Sequence, residues 1–308
     1  MLSNLLKIDT SALADKHSFF QMNQTINDVN INAGKLLANI NFLFKKEAIL
    51  ADIHEAEFKV FSQWGDDGII NFLCSYLDIP NKVFIEFGVE NYTECNTRLL
   101  LMNDNWSGLI MDGSAQHMQS VRNENIYWKY DLTALDKFVT KENINSILTE
   151  NKITGEVGLL HIDIDGNDYW IWKEISVIDP IIVIVEYNSL FGFDHPWTIA
   201  YDPGFIRTKA HYSNLLYGTS LLSICDLAEE KGYSFIGCNS NGNNAYFVRK
   251  DKIKHIAVKT PEAGYVLSKF AESRNEKGDL TFLRNESRLE LLKGQHIFNT
   301  RTNAMEVI

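Results

Sequence analysis

No run of eighteen apolar residues occurs anywhere in the 308-residue chain, so no transmembrane helix is expected. Residues Met1–Lys7 carry no signal-peptide pattern. The four cysteines, Cys74, Cys95, Cys225 and Cys238, show no pair spacing, which argues against a disulfide framework or a zinc site. Together these absences predict a reduced, cytoplasmic protein. Positive charge is scarce: 29 Lys and Arg stand against 40 Asp and Glu, for a net charge of −11. A bare nucleic-acid or anionic-membrane surface is therefore an unsuitable partner. Gly-x-Gly-x-x-Gly is also missing, which weakens any dinucleotide-dependent redox reading. What remains is ordinary for a globular chain: 45% apolar and 22% charged residues, enough for an ample core.

Residues 1–57 read as a separate N-terminal helical extension. Leu36, Leu37, Ile40, Leu43 and Phe44 recur at three- and four-residue steps, giving one apolar face. Docking on the core and a homodimer surface each account for it. Residues 58–250 alternate short apolar runs (83–87, 109–111, 126–130, 157–164, 181–187, 234–238, 245–248) with helix-like segments (93–103, 115–123, 141–151, 169–175, 215–231). Strands alternating with helices predict a parallel sheet covered on both faces. Ile181–Val185, β-branched throughout, fits a central strand, and the polar turn Asn239–Asn244 fits an antiparallel hairpin. The fold class is thus α/β: a Rossmann-like parallel sheet ending in an antiparallel hairpin, the plan of class I methyltransferases. Residues 251–308 read as a mostly helical C-terminal extension, with one helix over 280–292.

The most informative stretch is Val83-Phe-Ile-Glu-Phe-Gly-Val-Glu90, followed about 24 residues on by Leu109-Ile-Met-Asp112-Gly113, the spacing of one βαβ unit. A pyrophosphate would be repelled by Glu86 and Glu90. A cationic, phosphate-free nucleoside such as S-adenosylmethionine would not. The loop Glu86–Thr97 supplies Glu86, Phe87, Gly88, Glu90, Thr93 and Asn96 as candidate cofactor contacts. Asp112, with Gly113 and Ser114, is placed to take ribose hydroxyls. Asp131, read as the end of the third strand, is placed to meet an adenine amino group. Gln63, in the turn Phe61–Gly68, would touch the nucleoside from below. Acids at strand ends also serve as helix caps, but ligands in open α/β sheets bind at the carboxyl ends of strands.

A second cluster is His161-Ile-Asp163-Ile-Asp165-Gly-Asn-Asp168. Adjacent carboxylates repel, so a cation or a shared proton should stabilise them. If strands four and five are neighbours, Asp165, Glu186 and Asn188 would converge in a donor set suited to Mg²⁺ or Mn²⁺. Asp163 would also border the cofactor. The plainer alternative is a turn capping the next helix, which leaves Glu186 unexplained. The polar loop after strand five, Phe193-Asp-His195-Pro-Trp197 with Tyr201 and Tyr212, is a candidate cover. His195 or Asp168 is placed as general base, with Asp165 assisting through the metal.

Several segments taken together, Ser62–Gly68, Ile85–Glu90, Glu94–Thr97, Trp106–Ser114, His161–Trp170, Val185–Asn188, Gly237–Asn239 and Asn243–Arg249, resemble a bacterial branch related to the FkbM-type S-adenosylmethionine-dependent methyltransferases. The resemblance covers residues 58–250. It implies an O-methyltransferase acting on a small molecule, a sugar or a natural product, with Mg²⁺ held at Asp165, Glu186 and Asn188. It also implies a base three residues after the strand-four acid; here that position is Asp168, where His is common. Glu90-Asn-Tyr-Thr replaces the usual glycines. Two other classes remain: a glycosyltransferase using Asp163-Ile-Asp165 on a metal-bound nucleotide sugar, and a non-catalytic binding protein on the same fold.

Overall fold

The computed structural model describes residues 10–284 and 286–308. A long helix α1 (Thr10–Phe44) is followed by α2 (Lys46–Ala51) and α3 (Asp66–Tyr76). The alternating region then runs β1 (Val83–Phe87), α4 (Arg98–Asp104), β2 (Ser107–Asp112), α5 (Ala115–Asn123), α6 (Asn125–Lys129), β3 (Leu132–Asp136), α7 (Ile144–Glu150), β4 (Gly155–Ile162), α8 (Asp168–Glu174) and β5 (Ile178–Glu186). It ends with β6 (Trp197–Thr198), α9 (Arg207–Ala210), α10 (Leu221–Glu230), β7 (Tyr233–Cys238) and β8 (Asn244–Arg249). The tail holds α11 (Pro261–Gly264), α12 (Glu286–Leu289), β9 (His296–Asn299) and β10 (Ala304–Val307).

The main sheet has seven strands in the order β3-β2-β1-β4-β5-β8-β7. The first five are mutually parallel, and β8 pairs antiparallel with both β5 and β7. This is the class I methyltransferase plan. Side chains alternate along β5: Ile182 and Ile184 join a core with α3, α4 and α5, while Val183 and Val185 join one with α7, α8 and α10. The sheet is therefore buried on both faces, and the β-branched run lies between β4 and β8 as its composition predicts.

Three segments differ from the sequence reading. The expected strand 126–130 is instead helix α6 (Asn125–Lys129), with Tyr130 as its extended C-cap: Ile126 is buried while Trp128 is 73% exposed, a one-sided pattern rather than a doubly covered one. The third strand begins at Leu132, where Leu132 and Ala134 alternate inward. Among the described residues of 280–292 the helical elements are α12 and a 3₁₀ turn, and the C-terminal stretch closes as the β9–β10 hairpin, which pairs with β6 in a second, three-stranded antiparallel sheet. Helix α4 begins at Arg98, later than expected, because residues 93–97 are committed to the loop that Glu86 organises. Among the described residues no helix is long and apolar enough to cross a membrane.

Candidate active site

A cavity of about 820 Å³ opens at the carboxyl ends of β1, β2, β4 and β5. It spans the point where β1 and β4 lie side by side but continue in opposite directions across the sheet, the expected ligand crevice of an open α/β fold.

One end is framed by the turns after β1, β2 and β3. Gly88 has φ +73°, and a Cβ there would come within 1.6 Å of the Asp163 carbonyl oxygen, so only glycine lets the β1 turn pass the β4 turn. Glu86 is buried and saturated. Its Oε1 accepts from the Asn96 N–H (3.0 Å) and faces His161 Nδ1 (2.9 Å), while Oε2 accepts from the Thr97 N–H (3.2 Å) and the Thr97 hydroxyl. Burial opposes charge on His161, but the bond to Glu86 and its carboxylate outweigh this and raise the imidazole pKa. Glu86 thus organises the loop while also lining the cavity, and Asn96 directs its amide at His161 Nε2 (3.3 Å). Asp112 joins two loops: Oδ2 accepts from the Glu90 N–H (2.9 Å) and Oδ1 from the Ser114 N–H (2.7 Å). Its side chain remains 14% exposed at the cavity wall, with Oδ1 3.5 Å from His117 Nδ1. Gln63, Gly88, Glu90, Thr93, Asn96, Asp112, Gly113 and Asp163 all line the cavity.

Other expected contacts do not. Phe87 is fully buried in the core, and Ser114 is the N-cap of α5, accepting from the His117 N–H. Asp131 precedes β3 and accepts from the Ser107 hydroxyl (2.7 Å), placing it at the amino ends of the strands, away from the cavity. The residues at the true end of β3, Lys137 and Phe138, hold the position assigned to Asp131. Phe138 lies against Gly113, where a Cβ would meet its ring at 3.0 Å.

The other end is built from β4, β5, β8 and the loop before α9. Asp163 stands at the cavity wall, and burial, opposed by His161 but reinforced by Asp165 and Asp168, pushes its carboxyl up to about 7. Burial and the charges of Asp163, Asp165 and Asp168 raise Glu186 well above the ordinary range. Glu186 Oε2 is buried without a partner, as are Asn167 Oδ1 and Asn244 Oδ1, and all three residues line the cavity. Glu186 and Asn244 are direct neighbours across the β5–β8 pair. Arg207 is fixed by four contacts: Asp165 Oδ1 (2.5 Å), Glu272 Oε2 (3.3 Å), the Asn214 carbonyl (3.0 Å) and the Tyr217 ring, 3.7 Å from its centroid.

Of the expected base and metal set, Asp165 and Glu186 share the cavity lining, whereas Asn188, Asp168 and His195 do not reach it. Asp168 is fully buried, with its oxygens accepting from the Ile164 and Gly166 N–H groups (2.9 Å each), so it fastens the turn after β4. His195 is half exposed, stacks on Trp197 at 4.2 Å, and lies outside the cavity. Asn188 donates to the Leu215 and Tyr217 carbonyls and accepts from the Leu190 N–H, and it does not line the cavity. Asp165 is engaged by Arg207. Among the described residues no group of three or more His, Cys, Asp or Glu is arranged to hold a metal, so the donors present do not fit Mg²⁺ or Mn²⁺. Arg207, Asn167, Asn244, Lys137 and Phe138 were not singled out as site residues in the sequence. For Lys137 and Phe138 the signal was the Leu132–Asp136 alternation; for Arg207 there was none.

No family model matches the chain, and no curated protein matches it. Among solved structures, an O-methyltransferase from Bacillus cereus in complex with SAH aligns at 12% identity over 74% of this chain and 97% of that one, with a TM-score of 0.38. A S-adenosylmethionine-dependent methyltransferase from Clostridium acetobutylicum aligns at 10% identity over 56% and 85%, TM-score 0.34. The N-terminal domain of EvdMO1, with SAH and D-fucose, aligns at 9% identity over 57% and 76%, TM-score 0.35. The fold assignment rests on the strand order and register above rather than on these matches.

Proposed function

We propose that this chain is an S-adenosylmethionine-dependent O-methyltransferase whose acceptor is a hydroxyl of a sugar or sugar-containing small molecule. One observation carries the reading. Nine carboxylates line the cavity against one lysine and one arginine, and its far end presents buried oxygens that only a donor can satisfy. A field of that sign attracts a sulfonium and repels a diphosphate. The orphaned oxygens of Asn167, Glu186 and Asn244 call for hydroxyl donors, because a buried unpaired acceptor costs about 1–3 kcal/mol.

In this reading Asp112 accepts from the ribose hydroxyls, Phe138 and Gly113 form the slot for the base, and the loop Glu90–Asn96 receives the amino-acid end. The bound cofactor supplies an already activated methyl group. The protein then has to orient the acceptor and take its proton. Orientation effects amount to about 7–11 kcal/mol in favourable intramolecular cases. Asp163 and Glu186, adjacent carboxyls in the cavity wall, take the base role expected of Asp168 or His195; a carboxyl near neutrality is matched to proton abstraction at physiological pH. Arg207 holds Asp165 aside and fixes the rim. The glycosyltransferase alternative is disfavoured on two grounds: Asp165 is already paired, and a diphosphate would enter an acid-lined cavity.

Calorimetry tests this directly. S-adenosylmethionine is expected to bind with micromolar affinity, unchanged by a chelator, and UDP-sugars are expected not to bind. Binding of a UDP-sugar with none of S-adenosylmethionine overturns the proposal.

A further inference from the structure

Helix α1 carries a second pattern besides the face that packs on the core. Met22, Ile26, Val29, Ala33, Leu36, Ile40 and Leu43 follow one another at alternating four- and three-residue steps, an unbroken heptad seam. All seven are exposed, from 45% at Ile40 to 70% at Leu43 among the six large ones. The core contact uses the opposite side. Ile31, Gly34 and Asn41 are buried there, Gly34 so close to Val60 that a Cβ would meet Cγ2 at 2.6 Å, and Asn41 donates to the Ala56 carbonyl (2.7 Å). The α/β body therefore lies behind the seam and leaves it clear.

We propose that this seam is the interface of a homodimer, in which α1 pairs in parallel with α1 of a second copy as a two-stranded coiled coil. The heptad assignment puts Ile26, Ala33 and Ile40 at one core position and Met22, Val29, Leu36 and Leu43 at the other; two of the three at the first are β-branched and two of the four at the second are leucine, which leans to the two-stranded pattern. Charge selects the partner. The chain carries −11, so two copies meet only where charge is absent. Between Gln21 and Phe44 the only charged residues are Asp28 and Lys35, both off the seam, and its flanks are Thr25, Asn30, Asn32, Leu37, Asn39 and Phe44. A cationic partner would find almost nothing to pair with. An anionic membrane would want lysines beside the apolar face, and asparagines stand there instead. The seam runs about 32 Å at 1.5 Å per residue. A standard interface needs roughly 800 Å² per partner, and a strip of this length with Leu37 and Phe44 alongside is of that order.

The test is sedimentation of the full-length protein at micromolar concentration. Wild type is expected at twice its 35.2 kDa chain mass, and the Leu36→Glu/Ile40→Glu variant at 35.2 kDa, since both positions are exposed on the single chain. A monomeric wild type, a dimer that survives the double substitution, or a monomer that cosediments with anionic vesicles overturns the proposal. Folding of the double variant is judged by its circular dichroism rather than its thermal midpoint, which falls when a dimer is lost. Should it fail to fold, mild oxidation decides. Leu36→Cys should cross-link between copies and Asp28→Cys should not; equal behaviour of the two rejects the parallel seam.

Discussion

The two ends of the cavity solve opposite problems with the same residue type. At the β1–β2 end, carboxylates are consumed by the protein. Glu86 accepts from Asn96 and Thr97 and pairs with His161, while Asp112 bridges the Glu90 and Ser114 amides. At the β4–β5–β8 end, Glu186, Asn167 and Asn244 leave oxygens buried and unpaired. Satisfied groups hold a shape; unsatisfied ones hold a free-energy deficit that a ligand can remove. The first end is a preorganised cradle for a constant ligand, and the second is where a variable acceptor is recognised and deprotonated.

Breaking the second end should have the larger effect. Glu186→Gln removes a proton acceptor while keeping size and burial, so turnover is expected to fall on the order of 10²–10⁴-fold with S-adenosylmethionine affinity retained. Single-turnover assay and calorimetry on the same preparation read the two quantities separately; a fully active variant takes Glu186 out of the chemistry. Breaking the first end should do the reverse. Asp112→Asn removes the charge that anchors the Glu90 and Ser114 turns and leaves a weaker acceptor, which should weaken cofactor binding roughly ten- to hundredfold, or about 1–3 kcal/mol. Unchanged affinity would remove Asp112 from the ribose role.

The same contrast explains what could be read in the sequence. The sheet was legible because hydrophobic runs report burial directly: Val83–Phe87 is apolar but for Glu86, and Ile181–Val185 is an unbroken apolar run within β5. The stretch 126–130 deceived because Ile-Tyr-Trp-Lys-Tyr has strand-like composition, and composition does not say that α6 runs to Lys129 or that Trp128 is exposed. That five-residue error moved the third strand end onto Asp131 and hid Lys137 and Phe138. At the site, acids clustered at strand ends marked the right place but not their partners. Asp163, Asp165 and Asp168 are near-identical in the text, yet the first faces the cavity, the second pairs with Arg207 across 42 residues, and the third is spent on two backbone amides. His195 and Asn188 failed for the same reason, since reach and competing hydrogen bonds are tertiary facts.

The smallest expected effect is also the sharpest probe of the second end, because it reads a charge without removing a shape. Asp163 has its carboxyl raised from an ordinary value of 3.8 to about 7 by burial, with His161 opposing and Asp165 and Asp168 adding to the rise. A carboxyl that holds its proton more tightly when folded stabilises the native state below its unfolded pKa, and that contribution is lost as pH climbs through the folded value. Between pH 4 and 7 the wild type should therefore lose thermal stability from this position. Asp163→Asn carries no such charge, so its midpoint relative to wild type should be higher at pH 8 than at pH 4.5, by a few degrees at most because the cavity admits solvent. Turnover in wild type should rise over the same interval as the Asp163–Glu186 pair gives up its shared proton, with an apparent pKa that belongs to the pair. A midpoint difference that is flat with pH would mean that Asp163 stays ionised throughout, and the shared-proton account of this end would fall.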